Sequence, residues 1–137
     1  METKEIADLF VTATGKIEFY WNFYTVTLLA LIGWLVSTNK ALVLRLKLLI
    51  TAGYLVFVFM NLIGLWGSYT FAEALRQDLL AAAKMNPDIL KHAQLVLSER
   101  SFECQKMLAI VIHAILGGLV LFVVWFGCLG KRASDTG

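Results

Sequence analysis

Long apolar runs alternate with short polar breaks along this chain, and these runs set its predicted architecture. The first run covers residues 17–36, where the only charged side chain is Glu18 at the edge. About 20 apolar residues are enough for a helix to cross the hydrocarbon core of a bilayer. Similar runs cover residues 48–67 and 107–129. The pattern therefore predicts an all-α integral membrane protein with three transmembrane helices.

The two ends of the chain have a different character. Residues 1–16 combine acidic side chains with apolar ones at helical spacing, which are Ile6, Leu9, Phe10 and Ala13. This pattern predicts a short interfacial helix, separate from the first span, with a frayed tail as the alternative. We expect no cleaved signal peptide, because these residues lack a basic segment followed by an apolar one. Residues 130–137 are polar and predict a short tail.

Residues 68–106, between the second and third spans, are too charged for lipid but rich in strong helix formers. Pro87 is the only proline in the chain. Asn86 suits a helix N-cap, and Pro87 suits the first helical position after it. We therefore expect the second and third helices to extend beyond the bilayer as an antiparallel hairpin, the stalk, which turns at Asn86 and Pro87.

The position of this turn fixes the register of the stalk. A turn at 86–87 places Glu73 level with Arg100. Arg76 then lies level with Glu99, so opposite charges face each other. The two arms would also share an apolar stalk interface, formed by Phe71, Leu75, Leu79, Ile89, Ala93, Val96 and Phe102. Further leucines lie off this stripe, and a neighbouring stalk or another protein would have to cover them.

Two polar residues interrupt the apolar runs of the second and third spans. The same register places Asn61 and His113 at one depth, so we predict an intramembrane polar pair. One interpretation is an interhelical hydrogen bond; the other is a proton-sensitive or ion-contacting pair. Small residues that would let helices approach closely lie on neighbouring turns, and these are Gly64, Gly67, Ala109, Ala114, Gly117 and Gly118.

The composition supports a membrane protein and excludes several other classes. Hydrophobic residues make up 59% of the chain and charged residues 16%, against roughly 45–50% and about 25% in typical soluble domains. A net charge of +2 without a basic run gives no reason to expect nucleic acid. Cys104 and Cys128 lie too far apart on one predicted helix to pair. Since no catalytic dyad, ligand cluster or phosphate loop is found, we expect no catalytic residues, metal or cofactor.

Basic residues near the span ends predict the orientation. The short loop 38–47 has three basic residues and no acid, and the tail adds Lys131 and Arg132. The positive-inside rule then places this loop and the C-terminus in the cytoplasm. The N-terminus and stalk would lie outside an inner or plasma membrane. The total number of Lys and Arg residues is higher on the stalk side, which leaves the reverse orientation open.

Most of the chain outside the stalk is predicted to lie in the bilayer, which leaves no separate soluble domain for catalysis. We expect a non-enzymatic assembly, scaffold or accessory subunit. Its helices would associate with copies of itself, as a homo-oligomer, or with a larger membrane complex. The alternative is a homo-oligomeric ion channel or membrane-permeabilising pore gated through the stalk. A pore would need a ring of copies, because three spans are too few to enclose a conduit.

Overall fold

The computed structural model describes residues 3–38, 42–85, 94–99 and 101–126, and these ranges contain helices and no strand. The named helices are α1 (Thr3–Ser37), α2 (Leu44–Met85) and α3 (Phe102–Phe126). A shorter helical segment covers residues 94–99. Each of the three named helices is long and apolar enough to cross a membrane. The prediction of an all-helical chain with three candidate spans is confirmed by the length and composition of these helices.

Each helix buries a stripe of residues spaced mostly three or four apart. On α2 the stripe includes Asn61, Leu65, Ser68, Ala72, Leu75 and Leu79. On α1 it includes Ile6, Ala13, Ile17, Tyr24 and Leu28, and on α3 it includes Phe102, Lys106, Ala109, His113, Val120 and Val124. This spacing is typical of helices that pack side by side at a shallow angle. The helices therefore form a bundle in which α2 runs antiparallel to α1 and α3.

The N-terminal part of α1 differs from the prediction. The helix runs unbroken from Thr3 through Gly15 into the first apolar run, so residues 3–16 are not a separate interfacial helix. One glycine costs a helix only about 1 kcal/mol relative to alanine, which packing along the helix easily offsets. Ile6 and Ala13 belong to one buried cluster with residues of α2 from the predicted stalk. The first turns of α1 therefore lie beside the polar half of α2.

This position of α1 changes which stalk residues are covered. The ring of Phe102 lies 6.0 Å from the ring of Phe10 and 6.2 Å from the ring of Tyr69, measured between centroids. Phe71, which the register placed opposite Phe102, is 48% exposed. Part of the apolar cover that we expected from the other arm of the stalk thus comes from α1.

The other predicted interface residues divide in the same way. Leu75 and Leu79 are buried in the cluster that includes Ile6 and Ala13 of α1, whereas Val96 is 60% exposed. Four predicted positions lie outside the described residues, namely Ile89 and Ala93 of the stripe and Asn86 and Pro87 of the turn. α2 is helical as far as Met85, the residue before the predicted turn.

The helical segment 94–99 does not continue directly into α3. Ser101 is not helical, and α3 begins at Phe102. A carboxylate oxygen of Glu73 accepts a hydrogen bond from the Phe102 backbone nitrogen at 3.3 Å, and Arg76 Nη1 donates to the Leu97 carbonyl at 2.7 Å. Helix ends leave such backbone groups without partners inside the helix. Two α2 side chains therefore bind the backbone on both sides of the interruption.

Glu73 and Arg76 also bind each other, at 2.6 Å between Arg76 Nη2 and Glu73 Oε1. The register of the stalk predicts that Glu73 faces Arg100 and that Arg76 faces Glu99. The main contacts of Glu73 and Arg76 are instead with each other and with the backbone. Glu99 is exposed, and Arg100 lies outside the described residues. Height along the arms pairs these charges with each other, but backbone groups at the break before α3 bind Glu73 and Arg76 instead.

Candidate functional site

The candidate site is a layer of polar and aromatic side chains inside the bundle, which we call the polar layer. It consists of Trp21 and Tyr24 from α1, Tyr54 and Asn61 from α2, and His113 from α3. Tyr24, Tyr54, Asn61 and His113 are buried, and His113 is only 1% exposed. Each residue belongs to, or lies next to, the stripe by which its helix packs, so the same spacing that packs the helices brings these side chains together.

His113 is held by hydrogen bonds at both ring nitrogens. Nδ1 lies 2.8 Å from the carbonyl oxygen of Ala109, one turn earlier on α3. A carbonyl can only accept, so Nδ1 carries the proton. Nε2 lies 3.1 Å from Asn61 Nδ2 and accepts its hydrogen bond. The structure therefore brings together the two residues that the register placed at one depth, through an interhelical hydrogen bond.

Aromatic side chains of α1 cover the His113 ring. The Tyr24 ring lies 3.9 Å from it at an interplanar angle of 30°, and the Trp21 ring lies 5.1 Å away. The hydroxyl groups of Tyr24 and Tyr54 are 3.3 Å apart, and Trp21 Nε1 donates to the Tyr69 hydroxyl at 3.0 Å. These contacts join α1 to both α2 and α3.

The chemistry available to the polar layer follows from these contacts. Because both His113 nitrogens are occupied, a metal ion could bind the ring only if Asn61 or the Ala109 carbonyl gave up its hydrogen bond. Over the described ranges, no group of three or more His, Cys, Asp or Glu side chains could hold a metal ion. Asn61 Oδ1 is buried and has no hydrogen-bond partner among the residues that the structure describes. The layer is suited to joining helices.

The predicted small residues do not all lie at helix contacts. Ala109 is buried, and the Tyr20 ring lies so close to Gly64 that a Cβ atom there would overlap it. A Cβ atom on Gly117 would lie 3.7 Å from the Tyr54 hydroxyl. The others face outward, since Ala114 is exposed and a Cβ atom on Gly67 or Gly118 would meet nothing within 4 Å.

An apolar groove lies beside the polar layer, between α2 and α3. Its volume is about 340 Å³, and its lining includes Phe59, Leu62, Ile63, Trp66, Lys106 and Ile110. The Lys106 ammonium group lies 4.6 Å from the centre of the Trp66 ring and 2.8 Å from a Glu103 carboxylate oxygen. Glu103 on the same helix thus compensates the charge of Lys106, and the rest of the groove lining is mainly apolar.

Sequence reasoning missed a polar stripe on the exposed face of α1. Glu18, Asn22 and Thr25 follow one another at helical spacing and are all exposed. The signal was present in the sequence, because these polar residues recur three or four positions apart inside an apolar run. It was overlooked because Glu18 was assigned to the membrane boundary and Asn22 was not weighed against its apolar surroundings.

The fold and the polar layer define a class of protein: an all-helical chain whose three long apolar helices indicate a membrane location. Comparison of the chain with protein-family models, with curated proteins and with solved structures found no match. The interpretation of its function therefore rests on its own geometry.

Proposed function

We propose that this chain is a non-enzymatic membrane assembly subunit. Its three apolar helices cross a bilayer, and the charged residues 68–106 extend outside it as the stalk. The chain associates with copies of itself or with a larger membrane complex. The observation that carries the proposal is that the side chains of the polar layer join the helices of this chain. His113, Asn61, Tyr24 and Tyr54 bind one another across three helices, so the layer specifies how helices fit together.

The length of α2 supports the stalk. Its 42 residues extend about 63 Å, roughly twice the ~30 Å thickness of the hydrocarbon core. The charged side chains of α2 after the predicted span begin at Glu73, and the packed N-terminal turns of α1 lie at the same level. One end of the bundle is therefore polar enough to stand in water while the other end stays in lipid.

Exposed apolar side chains on the stalk support association with protein. Phe71, Leu95 and Val96 lie beyond the predicted span and are 48%, 59% and 60% exposed. Soluble surfaces seldom leave several large apolar groups uncovered unless they meet a partner or a membrane surface. This feature fits a subunit whose stalk contacts another protein.

The decisive experiment is purification of the full tagged chain from its membrane in mild detergent. The mass of the complex is measured by light scattering with the detergent contribution subtracted, and a gel shows which proteins accompany the chain. We expect either several copies or a fixed ratio to a heterologous membrane protein. A chain that stays monomeric and alone across detergents and concentrations contradicts the proposal.

The channel alternative makes a different prediction. Tyr24, Leu65, His113, Val120 and Val124 are under 2% exposed and fill the interior of the bundle over the described residues. A conduit would have to run between copies. Dye release from liposomes that depends on the chain, together with a ring-sized complex, would favour the channel, whereas tight liposomes favour the assembly subunit.

A further inference from the structure

The polar stripe on the outer face of α1 is the least expected surface of the molecule. Asn22 lies between Trp21 and Tyr24, whose rings contact His113. Asn22 therefore lies at the depth of the polar layer but points away from the bundle, where it is exposed. Glu18 lies one turn nearer the stalk, and Thr25 lies one turn deeper, on the same exposed face.

Two of these side chains lack a polar partner among the described residues, because neither Glu18 nor Asn22 takes part in a hydrogen bond or an ion pair there. In a bilayer, the amide of Asn22 would face hydrocarbon that can neither donate nor accept hydrogen bonds. Such groups usually lie at contacts between transmembrane helices. The face of α1 centred on Asn22 therefore requires a polar partner.

We infer that this face of α1 binds the same face of a second copy of the chain. Copies with one topology lie parallel in the membrane, so a two-fold axis along the membrane normal brings each residue opposite its equivalent. An amide offers both a donor and an acceptor, which makes two Asn22 side chains complementary to each other. The inference rests on the proposed function, because it names the surface through which copies associate.

The surroundings of Asn22 fit close contact between two helices. Gly15, Glu18, Asn22, Thr25 and Leu29 follow one another at intervals of three or four residues, as in a coiled-coil seam. A Cβ atom on Gly15 or Gly33 would meet nothing within 4 Å, so another helix can approach both ends of the seam. A single asparagine at a seam position is a known determinant of register and of the number of helices.

Glu18 distinguishes a second copy from a different partner. Across a two-fold axis the two Glu18 carboxylates approach each other at the membrane boundary and repel. Neutralising this residue should therefore strengthen association between copies. If a basic helix of another protein occupied the face, neutralising Glu18 would remove an attraction and weaken the complex.

The test measures self-association of the full chain in liposomes by Förster transfer between labelled copies over a range of protein-to-lipid ratios. We expect a dimer whose dissociation constant rises about tenfold or more in Asn22→Leu, changes about threefold or less in Asn22→Gln, and falls in Glu18→Gln. Met60→Leu is the matched control, because Met60 is an outward residue of α2 at the same depth. It should leave the dimer unchanged. Circular dichroism checks that the variants keep their helices.

Three outcomes would overturn the inference. Self-association that Asn22→Leu leaves intact would place the interface elsewhere. A chain bound to another membrane protein, with Glu18→Gln weakening that complex, would assign the face to a basic helix while the proposed assembly function stands. A ring of copies with ion flux that Asn22→Leu abolishes would place the stripe around a water-filled conduit, against both this inference and the proposed function.

Discussion

His113 joins all three helices, because its ring accepts a hydrogen bond from α2 and packs against aromatic rings of α1. Replacing it with leucine would leave both polar atoms of Asn61 buried without partners. We expect His113→Leu to lower the free energy of unfolding by about 1–2 kcal/mol. Thermal unfolding in detergent, followed by circular dichroism, measures the change.

The double variant His113→Leu/Asn61→Leu separates hydrogen bonding from packing. It removes both polar partners, so it should be less destabilised than the sum of the two single variants. Ile115→Leu on the outer face of α3, where Ile115 is 65% exposed, is the control and should change little. Strict additivity of the two single variants would show that the contact between Asn61 and His113 stabilises nothing.

At the scale of elements, the junction before α3 depends on Glu73. Hydrogen bonds from Arg76 are the main cause that lowers the pKa of the Glu73 carboxyl from 4.5 to about 2. The unfolded chain binds a proton at this site more readily than the folded one. The stabilisation is therefore fully present above pH 4.5 and is lost as the pH falls towards 2.

Glu73→Gln should remove this acid-sensitive contribution. We expect the variant to be about 1–2 kcal/mol less stable than the native chain at pH 7, and the difference should shrink below pH 4.5. Asp78→Asn removes the same charge from an exposed position of α2 and serves as the control. Unfolding midpoints measured from pH 7 to pH 2 give the comparison, and a difference that stays constant over this range would contradict the role of Glu73.

The continuity of α1 is a second feature at this scale. Sequence patterns located its helical residues, and they also located the apolar side chains Ile6, Phe10 and Ala13. They did not show that these side chains would cover α2, because the partner residues lie more than 50 positions further along the chain. The break at Ser101 escaped notice for the same reason, since it is stabilised by side chains from another helix.

At the scale of the whole molecule, the proposed topology is open to a direct test. In a chain whose Cys104 and Cys128 are replaced by serine, Ser98→Cys should react with an impermeant maleimide in intact cells. Ser134→Cys should react only after permeabilisation. The physical reason is the concentration of basic residues next to the short loop and the tail. The opposite labelling pattern would place the stalk in the cytoplasm.

The apolar pattern of the chain predicts its three long helices and the shared depth of Asn61 and His113. Both depend on local quantities, since about 20 apolar residues make a span and a constant helical rise converts numbering into height. Which faces are covered follows only from the folded arrangement of the helices. In that arrangement α1 packs on the second half of α2, Glu73 and Arg76 bind a helix junction, and Asn22 points outward. Coverage depends on neighbours from distant parts of the chain, and no local pattern contains them.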